Sequence, residues 1–105
     1  MTVRQNTEAG SYEALVGDQV VGVVVYEERG DRTVFTHTNV RPDFRGRGVA
    51  AKLVRAALDD VAAHGRTFTN YCGYITDFVA RNPGYEDLVD GEHPGWLLPK
   101  ARDSR

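Results

Sequence analysis

Residues 12–16, YEALV, form a short alternating stretch that predicts a strand, and Gly17-Asp18 after it is a two-residue hairpin signal. Residues 19–27, QVVGVVVYE, are apolar at successive positions, which predicts a central strand covered on both faces. A second turn is expected at Arg29-Gly30-Asp31, followed by a β-rich run over residues 32–40, RTVFTHTNV. Pro42 ends the pairing of that run. After Gly48 the period changes: Ala50, Leu53, Val54, Ala57, Leu58 and Val61 recur at three and four, the stripe of a helix over residues 50–63. His64-Gly65 closes it, with glycine at the C′ position. Residues 66–71 predict a short strand parallel to the third, because a helix carries the chain back. Ile75, Phe78 and Val79 mark a second, shorter helix that Pro83-Gly84 stops, and residues 85–96 read as irregular, with Pro94 and Pro99 limiting regular structure. The order is βββαβα, an α/β (α+β) domain with a mixed antiparallel and parallel sheet flanked by helices.

A chain of 105 residues suits one such domain. The tail, residues 98–105, is expected to fray. Residues 1–10 are polar, so a signal peptide is not expected, and no apolar run approaches the roughly 20 residues of a membrane span. The single cysteine, Cys72, excludes an internal disulfide and fits a reducing, cytoplasmic setting. The net charge of −2 argues against general nucleic-acid binding. That charge is uneven. Arg41, Arg45, Arg47, Lys52 and Arg55 face only Asp43 in their segment, whereas Glu86, Asp87, Asp90 and Glu92 form an acidic run. The basic segment suits an anionic ligand; the acidic one suits either a cation or plain solvent.

The basic segment breaks two local rules at once. A helix start leaves four backbone N–H groups unpaired, and Ser, Thr, Asp or Asn usually covers one. Here the start reads Arg45, Gly46, Arg47, Gly48, Val49, without a short side-chain acceptor, and its arginines oppose the helix dipole. A bound phosphate answers both faults: it accepts from the bare N–H groups and neutralises the arginines, while glycine lets it come close. A P-loop needs Gly-Lys-Ser/Thr, which is absent. Gly46, Gly48 and Ala51 match a dinucleotide fingerprint in letters, but an antiparallel meander comes first and the next strand, TFTNY, ends without an acid.

Arg45-x-x-Gly48-x-Ala50 resembles the Q/R-x-x-G-x-G/A signature of the GNAT superfamily of acetyl-CoA-dependent N-acetyltransferases. VRPDF before it is similar to the family's lead-in, and AAKLVRAAL after it to the family's pyrophosphate-binding helix. HTNV at the end of the third strand and CGYITDFVARNPGY after the fourth resemble a short stand-alone subfamily with a Cys after the fourth strand, and the likeness covers about residues 4–97. The resemblance implies that backbone N–H groups of Gly46, Arg47, Gly48, Val49 and Ala50 hold the pyrophosphate of acetyl-CoA. It implies that Arg45, Arg47 and Lys52 steer it, that backbone at Val40 pairs with the pantetheine arm, and that Tyr74 lines the other side of the arm. Phe78 reads as core. Typical members carry helices between the first two strands that help form the acceptor site. Gly17-Asp18 joins the strands directly here, so an open acceptor side is expected, and a protein side chain or terminus becomes the more plausible amine.

Two residues are candidates for catalysis. Cys72 opens the second helix, where a thiol's pKa falls and a thiolate could carry acetyl as a thioester; packing as a small buried residue is the alternative. His37, sharing a face with Phe35 and Asn39 by simple alternation, has the right ordinary pKa for a general base to an amine or to Cys72, or it is a structural histidine. Asn70 could orient either. His64 and His93 pair with Cys72 at no metal-ligand spacing, so no metal is expected. The expected activity is an N-acetyltransferase, with a non-catalytic acetyl-CoA sensor as the alternative. An RNA-binding reading lacks an aromatic stacking row beside the basic segment.

Overall fold

The computed structural model describes residues 1–97; the expected frayed tail and Pro99 lie outside them. Five strands form one sheet in the order β1-β2-β3-β4-β5: β1 Thr2–Asn6, β2 Ser11–Val16, β3 Gln19–Arg29, β4 Arg32–Val40 and β5 Thr67–Asn70. Helix α1, Val49–Ala63, joins β4 to β5, and α2, Gly73–Arg81, follows. The first four strands are an antiparallel meander, and β4 pairs with β5 in parallel from Arg32–Thr67 to Phe35–Asn70. The mixed sheet and the helix crossover are as expected, but the order is ββββαβα.

The additional strand is β1. Its side chains are exposed or half-buried, and only Val3 packs on the core, so it carries no apolar alternation. It is held by polar contacts instead: Arg4 Nε donates to Glu13 Oε1 at 2.8 Å, and Gln5 Nε2 donates to the Tyr26 hydroxyl at 2.8 Å. These contacts leave the Glu13 carboxyl below its usual range, through Arg4 first and Asn6 second. β1 reaches β2 through a turn over residues 7–10, and Gly17-Asp18 joins β2 to β3 as expected, so no helix intervenes between these strands.

The helical stripe buries Val49, Leu53, Val54, Ala57, Leu58 and Val61; Val49 takes the place expected for Ala50, which is half-buried. Ile75, Phe78 and Val79 of α2 join the same core, with Phe35, Phe68, Leu53 and Leu58 fully buried at its centre. Gly22 makes the close approach of α1 possible, since a Cβ there would stand 2.9 Å from Val49 Cγ1 and 3.1 Å from Leu53 Cδ1. By alternation Val23 and Val25 point away from α1, and both are only half-buried. Cover on both faces of this strand is therefore a corrected expectation: one face is packed and the other is half open.

Beyond α2 the chain makes a 3-10 turn over Pro83–Leu88 and then follows the outer edge of β5 without forming a regular strand. Asp90 N–H donates to Phe68 O at 2.8 Å, and Trp96 N–H to Asn70 O at 2.6 Å. Gly95 sits so close to this edge that a Cβ would lie 2.1 Å from Asn70 O. Asp90 also accepts from the Thr67 hydroxyl and from the N–H groups of Glu92 and His93, which holds its carboxyl below the usual range. One of the four residues of the expected acidic patch, Asp90, is thus a structural loop anchor.

Candidate functional site

The sheet divides where β5 ends. Its last paired residue, Asn70, faces Phe35, and Tyr71 N–H still donates to Phe35 O at 2.9 Å. β4 runs on to Val40 with β3 on one side and, among the described residues, no strand on the other. Arg41 N–H donates to Val21 O on the β3 side, so alternation turns the N–H and C=O of Val40 to the free edge. Arg45 Nε already donates to that Val40 carbonyl at 3.2 Å.

From Val40 the chain makes a single 3-10 turn at Pro42–Phe44, and Gly46 and Gly48 then take left-handed conformations, each at φ 79°. Glycine is needed at both for the sign of φ, since a Cβ at either would meet nothing within 4 Å. Gly48 is the N-cap of α1, and no side chain caps the helix and no acid sits in its first turn. Lys52 N–H, donating to Gly48 O at 3.1 Å, makes the first intrahelical bond, so the N–H groups of Val49, Ala50 and Ala51 have no partner within the helix.

These N–H groups open on a cleft of about 410 Å³. Gly46, Gly48, Val49, Ala50 and Ala51 form one wall; Thr38, Asn39 and Val40 form another; Phe44, Arg45 and Tyr74 complete it. The cleft therefore gathers Val40, Arg45, Gly46, Gly48, Val49, Ala50 and Tyr74 from the residues expected to hold the anion and its arm. Arg47 and Lys52 do not line it: the Arg47 guanidinium lies 5.2 Å from the Phe44 ring centroid, and Lys52 Nζ reaches Met1 O at 3.3 Å. Sequence reasoning missed Thr38, Asn39, Phe44 and Ala51 as lining residues. Thr38 could have been found from Val40, two positions away on the same strand face. Among the described residues neither Arg45 nor Arg47 forms an ion pair, so positive charge at the mouth is uncompensated, whereas Arg41 pairs with Asp43.

The two expected catalytic residues are not brought together. Val25 pairs with His37 and Tyr26 with Phe35, leaving Thr36 as an extra residue in β4. This bulge resets the alternation, so Phe35 is fully buried under the helices while His37 is exposed on the other face with Val25. His37 and Phe35 sharing a face is a corrected expectation; His37 and Asn39 do share one. Cys72 lies on the helix side, buried, with its Sγ 3.3 Å from Thr38 Oγ1, and it does not line the cleft. Asn70 is fully buried; its Oδ1 accepts from Cys72 N–H at 3.0 Å and its Nδ2 donates to Thr76 Oγ1 at 3.0 Å. It fixes the start of α2 rather than either catalytic candidate's side chain. Phe78 is core, as expected. Among the described residues no group of three or more His, Cys, Asp or Glu could hold a metal ion, and no helix is long and apolar enough to cross a membrane.

Comparison with known proteins agrees with this geometry. The model of a family described as GCN5-related N-acetyl-transferase matches residues 11–88. Protein NATD1 from Bos taurus is 44% identical over 62 residues, covering 58% of this chain and 55% of that protein. Protein NATD1 from Danio rerio is 39% identical over 70 residues, 66% of this chain and 64% of that protein. The match thus spans less than two thirds of the curated relatives' length. Among solved structures, a GCN5-like protein from Staphylococcus aureus superposes with a TM-score of 0.68 over 99% of this chain and 96% of its own, at 15% identity. An acetyltransferase-like structure from Staphylococcus aureus Mu50 gives a TM-score of 0.56 over 72% of this chain and 64% of its own, also at 15% identity, so both show the fold alone.

Proposed function

The chain belongs to the GCN5-related N-acetyltransferase family, and on that premise we propose that it binds acetyl-CoA in the β4–α1 cleft and transfers the acetyl group to an amine. The observation that carries this reading is the uncapped start of α1, whose free N–H groups open on a cleft with Arg45 at its mouth. A diphosphate there accepts from the N–H groups of Gly48 to Ala51 and meets the positive end of the helix dipole. The free edge at Val40 offers its N–H to the amides of the pantetheine arm, and its C=O, which already accepts from Arg45 Nε, keeps a second lone pair for them. Tyr74 closes the arm from the α2 side. Arg47 and Lys52 act from outside the cleft, as charges that raise the local concentration of the anion.

For the acceptor we assign the half-open face of the sheet, with His37 taking the proton of the arriving amine. Turns join the strands there, so among the described residues no helix closes a pocket for a small amine, and an amine carried on a protein fits better. The amine nitrogen attacks the thioester carbonyl, the C–S bond breaks, and coenzyme A leaves as the thiol. A Cys72 acetyl-thioester is the longer route and requires Thr38 to turn aside, because Thr38 stands between the cleft and the sulfur. A second reading, a coenzyme A sensor without catalysis, has one specific support: among the described residues no carboxylate and no histidine lines the cleft. Calorimetry with coenzyme A, then intact mass after incubation with acetyl-CoA, tests these together. Binding without any acetyl adduct is the expected result for direct transfer. An adduct of one acetyl on Cys72 supports the covalent route, and no binding at millimolar coenzyme A ends the proposal.

A further inference from the structure

Of the cleft-lining residues on β4, Thr38 is the farthest along the strand from the α1 start. Along the wall the order is the helix N–H groups, then Val40, then Thr38, with the last two separated by about 6–7 Å of strand. Thr38 pairs with Val24, which is fully buried on the side that α1 covers, so its side chain points to the helices. There its Oγ1 meets Cys72 Sγ at 3.3 Å. That sulfur cannot retreat easily. Cys72 is only 5% exposed, its N–H is held by the buried Asn70 Oδ1, and Asn70 is tied in turn to Thr76. The wall at this end is therefore a small side chain with a fixed backing.

We propose that Thr38, backed by Cys72, sets the length of the acyl group that this protein accepts on coenzyme A. Acetyl ends against Thr38, and each further methylene must displace the Thr38–Cys72 pair. A methylene more or less in an apolar pocket changes discrimination by about 10–200-fold, so two are enough to disfavour butyryl. The inference rests on the coenzyme A reading above and assigns Thr38 as a specificity-determining residue, and Cys72 as the residue that positions it.

The test is calorimetry on the full chain with coenzyme A, acetyl-CoA and butyryl-CoA, which needs no knowledge of the acceptor. The wild type is expected to bind acetyl-CoA at least ~10-fold more tightly than butyryl-CoA. Thr38→Ala is expected to bring the two within about threefold. Cys72→Ala removes the backing without altering the cleft wall and gives an intermediate ratio. Thr38→Ser, which keeps the hydroxyl contact and removes one methyl, gives the same comparison if Thr38→Ala does not fold, and is expected to relax the ratio partway. Equal affinity of the wild type for acetyl-CoA and butyryl-CoA overturns the inference, as does a wild-type ratio retained in all three variants. Failure of the wild type to bind coenzyme A overturns the cleft assignment instead, so the two are told apart.

Discussion

Gly48→Asp separates ligand binding from folding at the α1 start. Gly48 is left-handed at φ 79°, a conformation that costs most residues roughly 1–2 kcal/mol but that aspartate tolerates better than most. Its Cβ would meet nothing within 4 Å, so there is no clash to add. A carboxylate at an uncapped helix start also gains about 0.3–1 kcal/mol from the dipole. The fold therefore loses about 1 kcal/mol at most, a shift of the melting temperature within roughly 4–8 °C. Binding is hit far harder. A carboxylate about 5 Å from a diphosphate, at an effective dielectric constant of about 20, repels each unit of its charge by about 3 kcal/mol. That lowers affinity for coenzyme A by at least ~100-fold. Gly48→Ala carries the strain without the charge and is expected to weaken binding by no more than about tenfold. The assay is calorimetry with coenzyme A beside a thermal melt. A Gly48→Asp protein that binds within threefold of the wild type refutes the reasoning.

Arg45→Ala removes the uncompensated charge at the mouth, and is expected to weaken coenzyme A binding about 5–10-fold at low salt and less as salt screens the site, read by titration at two ionic strengths. Gly95→Ala puts a Cβ against Asn70 O in a left-handed backbone, so a loss of about 3 kcal/mol or more is expected in denaturant unfolding. The carboxyls of Glu13 and Asp90 are depressed in the fold, so their contribution is present above the unfolded values near about 4 and is lost as pH falls through the folded ones; melts should weaken below about pH 4, and Asp90→Asn should flatten that acid limb. His37→Ala should leave coenzyme A affinity unchanged while lowering acetyl transfer, since His37 stands on the face away from the cleft.

Periodicity made the long helix, the meander and the parallel return legible, because Leu53, Val54, Ala57, Leu58 and Val61 and the apolar run of β3 leave few alternatives. β1 was not legible: TVRQN is an edge strand whose pairing rests on Arg4 and Gln5, and polar side chains at an edge look like any exposed segment. The bulge at Thr36 was invisible for a different reason. RTVFTHTNV reads as unbroken alternation, and one unpaired residue moves His37 to the opposite face from Phe35. At the site, Gly46 and Gly48 were readable as a broken capping rule, since the missing cap is itself a feature of sequence. Phe44 was not, because its place in the cleft follows from how the chain turns at Pro42. The contact of Lys52 with the Met1 carbonyl was not legible either: its helical position is clear, but Met1 leads into β1, which the pattern did not reveal.

The central claim is that the free N–H groups at the start of α1 bind the diphosphate of coenzyme A. The most direct measurement is a titration of the isotope-labelled protein with coenzyme A, following each amide resonance by NMR. The amides of Gly48, Val49, Ala50 and Ala51 are expected to shift most, with Val40 following and the turn over residues 7–10 unmoved. Resonances of the α1 start that stay at their free positions at millimolar coenzyme A contradict the account.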